Sequence, residues 1–164
     1  MPKKIRISIG ADHAGFLLKK DLIKYLREEG HEVSDRGTKS GAKSVDYPDF
    51  AMKVVSDVLS SKADKGILVC GTGIGMAISA NRFVGIRAAA VYDVTMAELA
   101  AKHNNANILC LGARLTAPYL ARLMVQKWLD SRFETRHKTR LKLIDQHARC
   151  KEREERKGEK NLSN

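Results

Sequence analysis

The chain has 164 residues, 43% of them apolar, with 12 glycines and 3 cysteines. That suits one globular domain with its own core, and it excludes wholesale disorder, a collagen-like repeat and a small disulfide-stapled scaffold. Thirty Lys and Arg against nineteen Asp and Glu leave a net charge of +11, which favours anionic partners without choosing between nucleic acid and phosphorylated metabolites.

Short apolar runs alternate with longer amphipathic ones, the pattern of βαβ units around a parallel sheet. The first strand is expected at Ile5–Ile9, followed by Gly10-Ala11-Asp12-His13-Ala14-Gly15. Polar residues there, in place of an apolar core and cleavage site, argue against a secretory leader. A helix follows, with Leu18, Leu22, Tyr25 and Leu26 on one face and Gly30 as its stop. The second strand is expected at His31–Ser34, and a second helix at Tyr47–Leu59 with Pro48 in its first turn. A third strand, Gly66–Cys70, runs into Gly71-Thr72-Gly73-Ile74-Gly75 and a short helix from Met76 to Arg82. After a fourth strand, Ile86–Tyr92, Thr95 and Glu98 have the spacing of a capping box, which starts a helix at Met96 and leaves His103 at its C-terminal end. The fifth strand is expected at Asn107–Leu111, then a helix from Pro118 to Asp130 and a last one from about Thr139.

The expected fold is therefore α/β, a doubly wound, Rossmann-like, five-stranded parallel sheet with helices on both faces. Residues 1–148 read as one domain, and 149–164 as a charged extension with almost nothing apolar to bury. No apolar run approaches the roughly 20 residues of a membrane span. Cys70, Cys110 and Cys150 cannot pair completely and lack metal-ligand spacing, so a reducing, cytoplasmic location is expected.

In doubly wound sheets ligands bind beyond the carboxyl ends of the strands, so the residues after each strand matter most. Gly71, Gly73 and Gly75 let bare backbone approach a ligand, and their amides suit an anion or a developing oxyanion. The spacing is G-x-G-x-G, neither the dinucleotide fingerprint nor a phosphate loop; a tight turn with close helix packing is the plainer alternative. Cys70 ends the strand before these glycines, where the positive end of a helix favours its thiolate as a nucleophile or base. The alternative is a small buried hydrophobe, which is also how Cys110 reads. Asp12 and His13 are either an N-cap with an exposed imidazole or part of the same site. His103 is favoured as imidazolium at a helix C-terminus and could be a general acid or only a cap; Asn104 could equally form the turn after it. Arg114, Arg136 and Arg140 could clamp a phosphate or belong to a solvated face.

Taken together, these residues resemble the B-type ribose-5-phosphate isomerases, in the family shared with galactose-6-phosphate isomerase subunits. The likeness rests on Gly10–Gly15, Val45-Asp46-Tyr47-Pro48-Asp49, Gly66–Gly75, Lys102–Asn107 and Gly112-Ala113-Arg114. It implies interconversion of an aldose phosphate and a ketose phosphate through a cis-enediolate, with no metal or organic cofactor. By resemblance Cys70 is the base, Thr72 and the backbone of Gly71, Gly73, Ile74 and Gly75 stabilise the enediolate, and His103 opens the furanose ring with help from Asp12. His13, Arg114, Arg136 and Arg140 then match phosphate contacts, Asn104 a sugar hydroxyl contact, and Asp46 and Tyr47 the pocket wall. The resemblance also implies a homodimer or dimer of dimers with the site shared between subunits, and no nucleic-acid or membrane partner. Ribose 5-phosphate is the expected substrate, with allose 6-phosphate or galactose 6-phosphate as alternatives. Two other readings stand beside it. Asp93, 20 residues after Gly73, has the place of a ribose-binding acid in a nicotinamide-dependent oxidoreductase. The basic surplus permits a nucleic-acid-binding module, although aromatics are only 5% and no recognition motif stands out.

Overall fold

A computed structural model describes residues 4–148; the charged extension expected at 149–164, with Cys150, lies outside the described residues. The chain divides between Phe133 and Glu134 into two compact units.

The first unit contains β1 (Arg6–Ala11), α1 (Phe16–Glu28), β2 (Glu32–Asp35), α2 (Tyr47–Leu59), β3 (Lys65–Cys70), α3 (Ile74–Ala80), β4 (Ala88–Ala90), α4 (Val94–Lys102), β5 (Ile108–Gly112) and α5 (Pro118–Asp130). All strand pairs are parallel, in the order β2-β1-β3-β5-β4. This is the doubly wound sheet expected from the sequence. β1, β3 and β5 are buried on both faces, which is why they read as near-continuous apolar runs. Successive side chains alternate between faces. Ile67 and Val69 join Leu22, Leu26, Met124 and Trp128 on the face covered by α1, α4 and α5. Leu68 and Cys70 join Val54, Val55 and Met76 beneath α2 and α3.

Several element bounds change. α3 runs from Ile74 to Ala80 where Met76 to Arg82 is expected, and β2 from Glu32 to Asp35 where His31 to Ser34 is expected. α4 and β4 change for visible reasons. α4 begins at Val94, because Asp93 is its cap and accepts the Met96 N–H at 2.7 Å. The expected box of Thr95 with Glu98 does not form; the Glu98 carboxylate instead pairs with Lys102 and Lys127. β4 shrinks to three residues, since Ile86 closes a turn onto the Phe83 carbonyl and Asn107 takes the Arg87 N–H.

The second unit, described over residues 134–148, is a 3-10 turn at Thr135–His137 leading into a helix, α6, over 138–148. Among the described residues no helix is long and apolar enough to cross a membrane.

Candidate active site

The chain winds from β1 outward to β2, then returns to β3 on the other side of β1. The gap between the carboxyl ends of β1 and β3 is thus the switch point where open α/β sheets bind ligands. Two loops meet there. Gly10–Gly15 leaves β1, held by the Asp12 N–H on the Val69 carbonyl (3.3 Å) and by Asp12 Oδ1, which accepts the Gly15 N–H at 3.0 Å. Gly71–Gly75 leaves β3 toward α3. Asp12 is thus a buried loop clamp beside the switch point.

The decisive contact is local. Gly73 stands at φ +81°, which an L side chain rarely adopts, and this turns its amide back on the strand end. The Gly73 N–H donates to Cys70 Sγ at 3.1 Å. The sulfur is therefore held against the glycine cradle, although Cys70 is only 5% exposed and packs partly in the core. Cys110 is fully enclosed: burial first, then the neighbouring Cys70, pushes its thiol up. It is a core residue.

Thr72 Oγ1 accepts the Ile74 N–H at 3.3 Å, so the hydroxyl sits at the mouth of the cradle. Arg114 reaches over from the end of β5, its N–H on the Gly71 carbonyl and its guanidinium so near Gly71 that a Cβ there would lie 3.2 Å from it. Tyr47, at the start of α2, lays its ring across Gly75, where a Cβ would meet Cζ at 2.8 Å. Asp46 precedes it, exposed and making no cap bond with its side chain. His13 Nδ1 accepts the Val45 N–H at 3.2 Å. That bond requires the neutral tautomer with its proton on Nε2, and it ties the β1 loop to the segment entering α2.

Asp12, His13, Tyr47, Cys70, Thr72, the glycines and Arg114 are thus gathered at one rim by one chain. His103 and Asn104 are not. They follow α4, which carries the chain from the carboxyl rim back to the amino rim, where Asn107 leads into β5. A five-residue strand, about 16 Å long, separates that rim from Cys70. Asn105, at φ +44°, makes the turn there. Arg136 and Arg140 belong to the second unit, where Arg136 pairs with Glu134 at 2.7 Å and Arg140 lies 3.4 Å from His137 Nδ1.

Supporting residues that the sequence reading passed over include Lys19 and Val45. Lys19 is 1% exposed and bonds both Asp35 oxygens and the Thr38 carbonyl, each at 2.8 Å. Its signal was present: it lies three and four residues before Leu22 and Ile23, on the apolar face of α1. Val45 acts through its backbone and gave no such signal.

The family model described as Ribose/Galactose Isomerase matches residues 7–144. The chain belongs to that family. It is an enzyme, a sugar-phosphate aldose–ketose isomerase. The chain is 41% identical over 140 residues to the ribose-5-phosphate isomerase B of Escherichia coli, covering 85% of this chain and 93% of that one. It is 42% identical over 130 residues to the D-erythrulose-4-phosphate isomerase of Pectobacterium atrosepticum, covering 79% and 86%. A crystal structure of the ribose 5-phosphate isomerase of Thermotoga maritima superposes with a TM-score of 0.86 at 50% identity, over 88% of this chain and 99% of that one. In this family member Asp93 is occupied as the cap of α4, a structural duty that accounts for it without a nicotinamide ribose.

Proposed function

We propose that the protein interconverts D-ribose 5-phosphate and D-ribulose 5-phosphate through a cis-enediolate, with Cys70 as the base. The observation that carries this reading is the Gly73 amide on Cys70 Sγ at the switch point. The thiolate takes the proton from C2 of the open-chain aldose, and the C–H electron pair becomes the C1–C2 double bond. The carbonyl pair moves to O1, which the family's pattern assigns to the amides of Gly71, Gly73, Ile74 and Gly75 and to the Thr72 hydroxyl; of these the Gly73 N–H is engaged by Cys70 Sγ and the Ile74 N–H by Thr72 Oγ1 before substrate binds. The thiol then returns its proton to C1 while the O2 hydroxyl proton passes to O1, and C2 becomes the ketone. No net charge or proton is left over.

His103 is assigned ring opening, with Asp12 assisting, and Asn104 a sugar hydroxyl. The phosphate is assigned to His13 and Arg114 and, on the family's pattern alone, to Arg136 and Arg140; Asp46 and Tyr47 wall the pocket. The rim on which His103 and Asn104 sit supports a homodimer, or a dimer of dimers, in which a second copy brings them to Cys70. The basic surplus is taken up by a phosphorylated sugar, with no nucleic acid or membrane as partner. The free thiols of Cys70 and Cys110 suit the cytoplasm.

The test is turnover of ribose 5-phosphate by wild type and Cys70→Ala, beside a panel of erythrulose 4-phosphate, allose 6-phosphate and galactose 6-phosphate. Loss of about 10³-fold or more in kcat with substrate still bound is expected for Cys70→Ala. A fully active variant removes the base assignment, and a better six-carbon or four-carbon substrate removes ribose 5-phosphate.

A further inference from the structure

His103 and Asn104 stand on a turn, so whatever holds that turn sets where they reach. α4 ends at Lys102, and the chain reverses through Asn105, at φ +44°, before β5 begins at Ile108. The backbone N–H groups here close onto α4: His103 donates to the Leu99 carbonyl at 2.8 Å, Asn105 to Ala101 at 3.1 Å and Ala106 to Ala100 at 2.9 Å. The carbonyls that follow have no next helical turn to bond, so their donors must come from other elements.

Those donors come from two places. Ala106 is buried, and its carbonyl accepts Lys65 Nζ at 2.9 Å and Trp128 Nε1 at 3.1 Å. The Asn105 carbonyl, one peptide nearer His103, accepts Arg87 Nε at 2.9 Å. Asn107 locks Arg87 in return. Its Oδ1 accepts the Arg87 N–H and its Nδ2 donates to the Gly85 carbonyl, both at 2.8 Å, while its own N–H reaches the Arg87 carbonyl at 3.1 Å. Arg87 is half-buried at the entry to β4. It stands near Lys65, whose ammonium burial first and then Arg87 push down. A second cation is unfavourable there on charge alone; what the guanidinium supplies is a donor for the turn.

We propose that Arg87 is a positioning residue for His103 in ring opening: its bond to the Asn105 carbonyl sets the turn on which His103 and Asn104 meet the sugar. This rests on the ring-opening role given to His103 above. A group that gives a proton to the ring oxygen must lie within hydrogen-bond reach of it. A displacement of about 1 Å can cost on the order of 100-fold in rate. Arg87 acts through the turn and needs no contact with substrate.

The experiment is a double-mutant cycle of Arg87→Met with His103→Ala, with ribose 5-phosphate turnover and Tm measured for the four full-length proteins. Methionine keeps the apolar stem and removes the donors. In the otherwise wild-type chain Arg87→Met is expected to lower kcat about tenfold or more. In the His103→Ala chain, whose residual turnover draws on open-chain sugar already in solution, it is expected to change kcat less than about twofold. A loss of stability alone would lower both backgrounds by the same factor. Arg87→Lys, which keeps the charge and a donor, is expected to lose about threefold and to show the same non-additivity; it carries the cycle if Arg87→Met does not fold. The proposal is overturned if the Arg87 substitution costs the same factor in both backgrounds, or nothing in the otherwise wild-type chain. Full turnover by His103→Ala alone overturns it by a different route, because the ring-opening role of His103 then fails first.

Discussion

The amide of Gly73 reaches the sulfur of Cys70 only because Gly73 is left-handed, at φ +81°. A Cβ there would also sit 3.0 Å from the Leu111 carbonyl carbon, which is backbone and cannot turn aside. Gly73→Ala therefore strains the loop twice. The cost is expected at about 1–3 kcal/mol, read as a fall in Tm, and the reoriented amide is expected to lower kcat about tenfold or more with Cys70 intact. Wild-type kcat in a destabilised Gly73→Ala protein would show that the amide does not serve the sulfur.

Cys70 and His103 stand on opposite rims of one chain, which makes their cooperation testable without a structure of the assembly. If a second copy supplies His103, a Cys70→Ala/His103→Ala mixture of two separately inactive proteins will regain activity after subunit exchange. Random exchange in a dimer gives half heterodimers, each with one intact site, so recovery should approach about a quarter of wild-type activity. The two substitutions placed in the same chain and mixed with nothing should stay inactive. A mixture with no more activity than its components refutes the shared site.

Much of this was legible in the sequence, for reasons that differ by element. α2 was read to the residue because Pro48 and the apolar face of Ala51, Val54 and Val55 are both local signals. The glycine loop was legible as a cradle because strand, glycines and helix follow one another directly. The start of α4 was misplaced because two cap patterns overlap, and Asp93 wins while Glu98 is drawn to Lys102 and Lys127. The side chain of Lys127 comes from another helix, which spacing cannot reveal. The same holds for the tie between Ser8, Arg36 and Asp57, where Ser8 Oγ and Arg36 Nε donate to one carboxylate oxygen at 2.8 and 2.6 Å. The separation of His103 from Cys70 follows from the parallel topology, once the strand order is known.

Lys19 anchors the segment between β2 and α2 from inside the molecule. Its ammonium has both Asp35 oxygens and the Thr38 carbonyl within 2.8 Å, and that segment runs on to Val45, whose N–H sets the His13 tautomer. Lys19→Met keeps the stem and removes the charge. It is expected to cost about 2–4 kcal/mol, less than a wholly buried pair because Asp35 retains contact with solvent. The freed segment should raise KM for the sugar phosphate several-fold while kcat changes little, since Cys70 and its amide are untouched. Unchanged KM in a destabilised variant would make Lys19 purely structural.

Lys65 gives the pH dependence. Its ammonium donates to the Ala106 carbonyl at 2.9 Å and lies 4.8 Å from the centre of the Trp128 ring. Burial, helped by Arg87, nevertheless pushes it down to about 8 from 10.5. Between those values the unfolded chain holds a proton that the folded one has released, so this group makes stability rise with pH across the window. Below about pH 8 both states are protonated and the cost is fully present; above about 10.5 it is gone. The full interval corresponds to about 3 kcal/mol, an upper bound because the side chain keeps some solvent. Denaturant unfolding of wild type and Lys65→Met from pH 7 to 10.5 should therefore show the wild type gaining about 1–3 kcal/mol on the variant as pH rises. A difference that stays constant over that range would mean that the folded protein leaves the Lys65 ammonium at its ordinary value.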